Sequence, residues 1–165
     1  MGAYWTDTYA SMPMLRGPLG ELYVPLELEG KKVAATLSPS DPVSTLTTDV
    51  TRRLYGFDEK SPGVETQTDE EDGSTTHQFR AMQLTARGLS VKNTLIALTP
   101  GDETCTLQKA FTQKGVTGYD ESCMGHYPMR LGRNILRRLR IYFATKEKML
   151  YFSAADAGRP PPAQP

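Results

Sequence analysis

Apolar and polar residues alternate with a period of two along much of the chain, and this alternation most constrains the fold. In the segment LYVPLEL, four apolar residues fall on one face of an extended strand: Leu22, Val24, Leu26 and Leu28. After a turn at residues 29–31, the pattern continues through Val33, Ala35 and Leu37. The two segments predict a β-hairpin. Pro25 favours an edge position for the first strand, because proline has no N–H to donate to a neighbouring strand.

The rest of the chain predicts more strands and little helix. Strand patterns return at residues 77–88, 89–100, 140–144 and 149–153. Helical spacing is confined to two short segments, residues 47–56 and residues 134–139, the second beginning with Asn134 as a helix cap. Residues 58–76 are strongly acidic and lack apolar periodicity, which indicates a solvated loop or hairpin tip. We therefore expect an all-β domain with one or two short helices.

The 165 residues are enough for one domain with its own core. Residues 1–20 are predicted to be a lead-in or linker, residues 21–155 the domain, and residues 156–165 a Pro-rich tail. The 19 basic residues balance the 19 acidic ones, which argues against bulk attraction to nucleic acid or anionic lipid. No apolar run reaches the roughly 18 residues of a membrane span. No hydrophobic leader precedes the domain, so we expect any export signal to lie outside this chain.

Two cysteines, Cys105 and Cys123, flank a polar, Gly-containing segment. A disulfide between them would close a loop of roughly 19 residues and stabilise the fold by about 3 kcal/mol. The alternative is a pair of separate buried thiols. The bridge is favoured because both cysteines lie in what reads as one long loop. It would place the protein in an oxidising compartment such as a periplasm.

Three segments, in this order, resemble the retropepsin-like aspartic proteases. The first is LYVPLELEGKKVAATL, the second SPSDPVSTL, and the third LGRNILRRLRIYF. The third is the most specific, because its Gly, Arg and Asn recur with the apolar flanks typical of the family. Together the three span most of residues 21–155. The resemblance implies a closed acid-protease β-barrel.

The catalytic Asp-Thr-Gly of that family is degenerate here. From the family's Asp, a hydroxyl residue is expected six positions on and an apolar residue eight positions on. Counting from Ser38 gives Ser44 and Leu46, which fit, whereas counting from Asp41 puts Asp49 at the apolar position. The resemblance therefore places three residues where the family has Asp, Thr and Gly: Ser38, Pro39 and Ser40.

This substitution predicts a loss of catalysis. Aspartic proteases use two carboxylates about 3 Å apart that share one proton, one from each lobe or protomer. A serine hydroxyl does not titrate near neutral pH, so Ser38 cannot serve as the general base. We therefore expect a non-catalytic lobe of a larger exported bacterial-type protein, with a pairing, substrate-binding or regulatory role. Its expected partners are an identical copy or a second protease-like lobe, and a peptide or protein ligand. The alternative that stays open is an active dimeric endopeptidase that uses Asp41.

The resemblance also implies supporting roles for two residues of LGRN. Arg133 would brace the active-site loop through a carboxylate, and Asp41 is a candidate partner. A solvent-facing Arg133 is the alternative. Asn134 would cap the following helix. The family's glycine-rich, apolar flap is replaced here by the acidic segment 58–72, which would resist closing over an apolar groove.

Other chemistries have weaker support. A zinc site built from Cys105, Cys123 and His126 lacks a fourth ligand at a familiar spacing, so neither a metal nor a cofactor is predicted. A hydrolytic dyad of Ser38 or Ser40 with a distant histidine has no nucleophile-elbow motif. The arginines near the second helix lack interleaved aromatic residues, and a solvated helix face explains them better than nucleic-acid binding.

Overall fold

The structure is a computed structural model that describes residues 9–17, 20–101 and 127–155. Its strands are β1 Ala10–Pro13, β2 Leu15–Arg16, β3 Leu22–Leu28, β4 Lys31–Leu37, β5 Ser44–Thr47, β6 Glu65–Thr68, β7 Thr75–Ala86, β8 Leu89–Thr99, β9 Met129–Leu131, β10 Leu139–Ala144 and β11 Met149–Ala154. Its helical segments are α1 Thr48–Val50, which continues as a π-helical turn over Thr51–Tyr55, and α2 Arg133–Leu136.

Six strands close into a barrel. They follow the order β3-β4-β9-β5-β8-β7, and β7 pairs back with β3 through Glu27↔Thr85 and Leu28↔Leu84. The alternating strands direct apolar side chains inward, and five of these are fully buried: Leu28, Ala35, Leu46, Ile96 and Met129. The prediction of an all-β closed barrel with short helices is confirmed.

The predicted first hairpin is present, with β3 and β4 paired antiparallel from Tyr23↔Thr36 to Leu28↔Lys31. Glu29 and Gly30 turn the chain with φ of 49° and 78°, which is the left-handed pair of a two-residue hairpin. The predicted edge position of the first strand is wrong, because β3 also contacts β2 at its start and β7 at its end. Pro25 lies between these two contacts, where no neighbour requires its missing N–H.

A second, three-stranded sheet has the order β1-β11-β10. The predicted closing hairpin of β10 and β11 is present, from Leu139↔Ala154 to Ala144↔Met149. Residues 10–13, inside the segment predicted as a lead-in, form β1 and pair with β11. This sheet packs a separate apolar cluster of Met12, Val24, Leu150 and Phe152. The first residues described are therefore part of the fold.

The acidic segment contains a hairpin. β6 pairs with the first residues of β7, from Glu65↔Gln78 to Thr68↔Thr75, and its tip spans residues 69–74. Every residue of β6 is exposed. Among the described residues, no helix is long and apolar enough to cross a membrane. Cys105, Cys123, His126 and the tail 156–165 lie outside the described residues, so the disulfide and the tail stay predictions.

Candidate functional site

The turn after β4 holds Ser38, Pro39 and Ser40, the three residues that the sequence predicted to be a degenerate motif. Ser38 is buried at the end of the strand, and its backbone N–H donates to the carbonyl oxygen of Leu131, 2.9 Å away. The backbone N–H of Asp41 then donates to the carbonyl oxygen of Ser38 at 3.1 Å, which closes a tight turn. Pro39 and Ser40, between them, are exposed. Of the three motif residues, Ser38 is thus the one that faces the protein interior.

The segment Gly132–Asn134 packs directly against this turn. A Cβ at position 132 would lie 2.6 Å from the carbonyl carbon of Val43, so only glycine fits this close backbone approach. The N–H of Gly132 donates to Ser44 Oγ at 2.9 Å. The N–H and the hydroxyl of Ser44 both donate to Asn134 Oδ1, at 2.9 and 2.8 Å. The LGRN motif therefore fixes the loop that carries Ser38 and Asp41.

Asn134 has a different role from the predicted one. The N-cap position of α2 is occupied by Gly132, without a side-chain capping bond. Besides its contacts with Ser44, Asn134 donates from Nδ2 to the carbonyl oxygen of Leu95 at 2.7 Å. The predicted capping role is wrong, because a carboxamide both accepts and donates and here links the loop to β8 instead.

The carboxylate of Asp41 contacts Arg130 rather than Arg133. Arg130 Nη2 lies 3.0 Å from Asp41 Oδ2 and 3.2 Å from Ser38 Oγ, to which it donates a hydrogen bond. Arg133 contacts Asp41 through the main chain, its N–H donating to the Asp41 carbonyl oxygen at 2.8 Å. The candidate Asp41–Arg133 ion pair is therefore replaced by a pair with Arg130, since β9 is parallel to β4 and brings position 130 beside the turn.

The ion pair between Arg130 and Asp41 is a contact between one nitrogen, Nη2, and one oxygen, Oδ2. Asp41 Oδ2 is buried, and no described residue donates an aligned hydrogen bond to it, so the 3.0 Å contact with Arg130 is electrostatic. The Arg130 side chain is 53% exposed, whereas that of Asp41 is 30% exposed. The guanidinium is thus the more exposed partner of the ion pair, and it contacts the turn through Nη2.

An open cleft of about 900 Å³, lined by polar and apolar groups in similar measure, lies on the outer face of the barrel beside this turn. Five cleft-lining residues form one row across neighbouring strands, paired in register: Thr36, Arg130, Thr45, Ala97 and Gln78. Gln67 and Thr76, which pair across the acidic hairpin, line the same cleft. The hairpin therefore forms one wall, and Arg130 lies within the strand row opposite it.

A second polar cluster lies at α1, which directly follows the cleft strand β5. Thr48 Oγ1 lies 2.8 Å from Glu59 Oε1 and 3.0 Å from the carbonyl oxygen of Thr99. The hydrogen bond from Thr48 lowers the pKa of Glu59. Nearby, burial and the charge of Glu29 raise the pKa of Tyr55 to about 12, and the Tyr55 hydroxyl donates to the Leu28 carbonyl oxygen at 2.7 Å. The Tyr55 hydrogen bond fastens the segment 48–59 to β3, and the contact of Thr48 with Thr99 joins it to β8. The Thr48–Glu59 hydrogen bond closes the segment on itself.

Comparison with solved structures identifies the fold. The chain is similar to a retropepsin-like aspartic protease from Rickettsia conorii, with a TM-score of 0.54 and 13% sequence identity over 90% of this chain and 94% of that one. It also matches the retroviral protease-like domain of Ddi1 from Leishmania major, with a TM-score of 0.44 and 12% identity over 82% and 89% of the two chains. No protein-family model and no curated protein matches the sequence. The predicted retropepsin-like barrel is confirmed as a fold.

Sequence reasoning singled out Ser38, Asp41, Arg133 and Asn134, and the structure brings all four to one loop region. It missed Arg130. The available signal was the alternation in MRL, in which Met129 and Leu131 are buried and the residue between them faces outward. What the sequence did not reveal is that this outward face is the cleft.

Proposed function

We propose that this chain is a non-catalytic retropepsin-like domain that binds an extended peptide or protein segment in its cleft. In this proposal it acts as a pairing, substrate-binding or regulatory lobe of a larger exported protein. The fold supplies the scaffold, and the site lacks the acid that the chemistry needs. The alternative is an active dimeric endopeptidase that uses Asp41.

One observation supports the proposal: a guanidinium contacts the turn in which the resemblance places the catalytic aspartate. Arg130 donates to Ser38 Oγ and pairs with Asp41, which is the carboxylate in the turn. A proton-sharing pair requires two carboxylates in contact with each other and with a water. Here a permanent cation contacts both the residue at the catalytic position and the nearest acid, so the turn supports neither the pair nor the water.

The cleft supports the binding part of the proposal. Its walls present hydroxyl and carboxamide groups from several strands: Thr36, Thr45, Gln67, Thr76, Gln78 and Thr99. Such groups match the alternating N–H and C=O groups of an extended polypeptide. A chain that lost catalysis but retained a polar, open cleft is suited to holding a segment without cutting it.

The test is cleavage of a random peptide library by the purified chain between pH 3 and pH 8, analysed by mass spectrometry. The Rickettsia conorii protease is the positive control. We expect no cleavage that a pepstatin-type inhibitor blocks. Inhibitor-sensitive cleavage by the wild-type chain would overturn the proposal.

A second candidate is an active aspartic endopeptidase that uses Asp41 as a dimer. The observation in its favour is that Asp41 lines the cleft and that its Oδ2 accepts no aligned hydrogen bond from a described residue. In that case Asp41→Asn abolishes cleavage, whereas the matched variant Asp58→Asn, on an exposed loop outside the cleft, retains it. Cleavage that survives Asp41→Asn would exclude this candidate.

The exported location is part of the proposal and rests on the sequence. The test is mass-spectrometric mapping of Cys105 and Cys123 in protein purified from its native host without reductant. A single intramolecular bridge supports an oxidising compartment, and two reduced thiols argue against it.

A further inference from the structure

We propose that the cleft recognises its polypeptide ligand through a carboxylate that binds the free edge of the Arg130 guanidinium. This inference rests on the proposed binding function and names the chemistry of the ligand. The carboxylate is either an acidic side chain or a free C-terminus. Both present the same two oxygens, and the experiment below distinguishes them.

Arg130 has more hydrogen-bond donors than its two partners in the turn use. A guanidinium carries five N–H donors in a planar fork. Among the described residues, both partners of Arg130, Ser38 and Asp41, are contacted through Nη2. Ser38 Oγ accepts one Nη2 N–H, and Asp41 Oδ2 accepts no aligned hydrogen bond from a described residue, so the second Nη2 N–H and the N–H of Nε or Nη1 beside it remain as one fork for a ligand. The 53% exposure of the side chain leaves this fork accessible from the cleft. A carboxylate matches that fork with two parallel hydrogen bonds.

The orientation of the Arg130 guanidinium is held by the residues around it. Ser38 and Asp41 are less exposed than Arg130 and hold one corner of the fork from the side of the turn. The strand partners Thr36 and Thr45 flank position 130 on either side. A cation held in this way is pre-organised, so a ligand loses less side-chain entropy on binding it than on binding a free surface arginine.

The charge and polarity of the cleft around Arg130 favour a ligand with a single carboxylate. Asp41 and Arg130 are the fully charged side chains among the described residues that line the cleft, and the other polar groups there are neutral. The tip of the hairpin that forms one wall carries four acids, from Asp69 to Asp72. One carboxylate in an otherwise neutral, polar segment suits this arrangement, whereas a polyacidic segment would be repelled by the tip.

The experiment selects peptides from a bead library of random decapeptides with free C-termini. Selected peptides are then synthesised in three forms: unchanged, with Asp and Glu replaced by Asn and Gln, and with an amidated C-terminus. Affinities are measured for the wild type, Arg130→Gln, Arg130→Lys and the control Arg140→Gln. Arg140 is an exposed arginine on β10, outside the cleft. Circular dichroism checks the fold of each variant.

We expect one of the two altered peptide forms, the one that lacks the recognised carboxylate, to bind about ten- to a hundredfold more weakly, as loss of a charged hydrogen-bonded pair does. Arg130→Gln should weaken binding of the unchanged peptide by the same factor. Arg130→Lys loses most of the same affinity because lysine lacks the fork. Arg140→Gln binds like the wild type. If Arg130→Gln does not fold, the three peptide forms on wild-type protein decide the question alone.

Three outcomes are separable. Loss of affinity confined to the amide or Asn/Gln forms supports the inference and identifies the source of the carboxylate. Peptides that bind equally in all three forms overturn the inference and leave the proposed function standing. A library from which nothing binds overturns both.

Discussion

One oxygen of Asn134 accepts two hydrogen bonds from Ser44, one from its backbone N–H and one from its hydroxyl, although the residues are 90 positions apart. Ser44 is fully buried and begins β5, and its Oγ in turn accepts the N–H of Gly132. This network ties the third segment of the retropepsin resemblance to the second. It also fixes the loop that bears Ser38, whether or not that loop performs chemistry.

Asn134→Ala and Ser44→Ala should therefore each destabilise the protein, and their effects should not add. Each variant leaves buried partners unsatisfied, at a cost of about 1–3 kcal/mol. The double variant should cost less than the sum, with a coupling energy of at least about 0.5 kcal/mol. Urea unfolding of the four proteins measures this. Strict additivity would show that the two residues do not act through each other.

Gly132→Ala should destabilise the folded protein for a steric reason. The new methyl group would lie 2.6 Å from the carbonyl carbon of Val43, which is backbone and cannot rotate away. We expect a loss of about 1–3 kcal/mol, as in overpacked cores, measured by thermal unfolding. The control is Gly63→Ala, which meets no atom within 4 Å but has a φ of +86°. Its cost should be that of the left-handed backbone alone, about 1 kcal/mol.

Acid should weaken the hydrogen bond between Thr48 and Glu59 that closes the segment 48–59 on itself. The hydrogen bond from Thr48 lowers the pKa of Glu59 below its ordinary value of 4.5. A depressed folded-state pKa stabilises the fold above the unfolded-state value, and that contribution is lost as pH falls through the folded-state value. The free energy lost in Thr48→Val should thus be larger at pH 7 than at pH 3. In the control Thr85→Val, whose partners Gln83 and Ser90 do not titrate, the loss should not change with pH.

Titration with alkali should show that Tyr55 ionises at an unusually high pH. Burial and the charge of Glu29 raise the pKa of Tyr55 from 10.0 to about 12, which favours the neutral phenol in the folded state. Its contribution to stability is present below pH 10 and is lost as pH rises toward 12. The ultraviolet absorbance of tyrosinate should show a late step that Tyr55→Phe removes and Glu29→Gln moves to lower pH. A late step that persists in Tyr55→Phe would contradict the assignment.

The sequence predicted those features that depend on local pattern. The β3–β4 hairpin follows from strict alternation and a left-handed Glu29-Gly30 turn, both visible in the residues themselves. Counting from Ser38 to Leu46 assigned the family's motif to the turn after β4, and this assignment stays a prediction. Asn134 was singled out as a structural residue because LGRN resembles a motif of the family, although the helix-capping role predicted for it was wrong.

Features that depend on pairing between distant segments were not predicted. Arg130 reaches Ser38 because the short strand β9 inserts between β4 and β5, parallel to one and antiparallel to the other. A three-residue strand leaves too little periodicity to reveal its neighbours. The pairing of β1 with β11 was missed for the same reason, since residues 10–13 alternate too briefly before Pro13 to indicate a strand.

We propose that the cleft holds a polypeptide and does not cut it, because Arg130 contacts Ser38 and Asp41 in the turn where the resemblance places the catalytic aspartate. The most direct test is to incubate the tightest-binding library peptide with the wild-type chain between pH 3 and pH 8 and to recover it for mass spectrometry. The account predicts a peptide that is bound and returned intact. A peptide returned in two pieces, with cleavage abolished by Asp41→Asn, would contradict it.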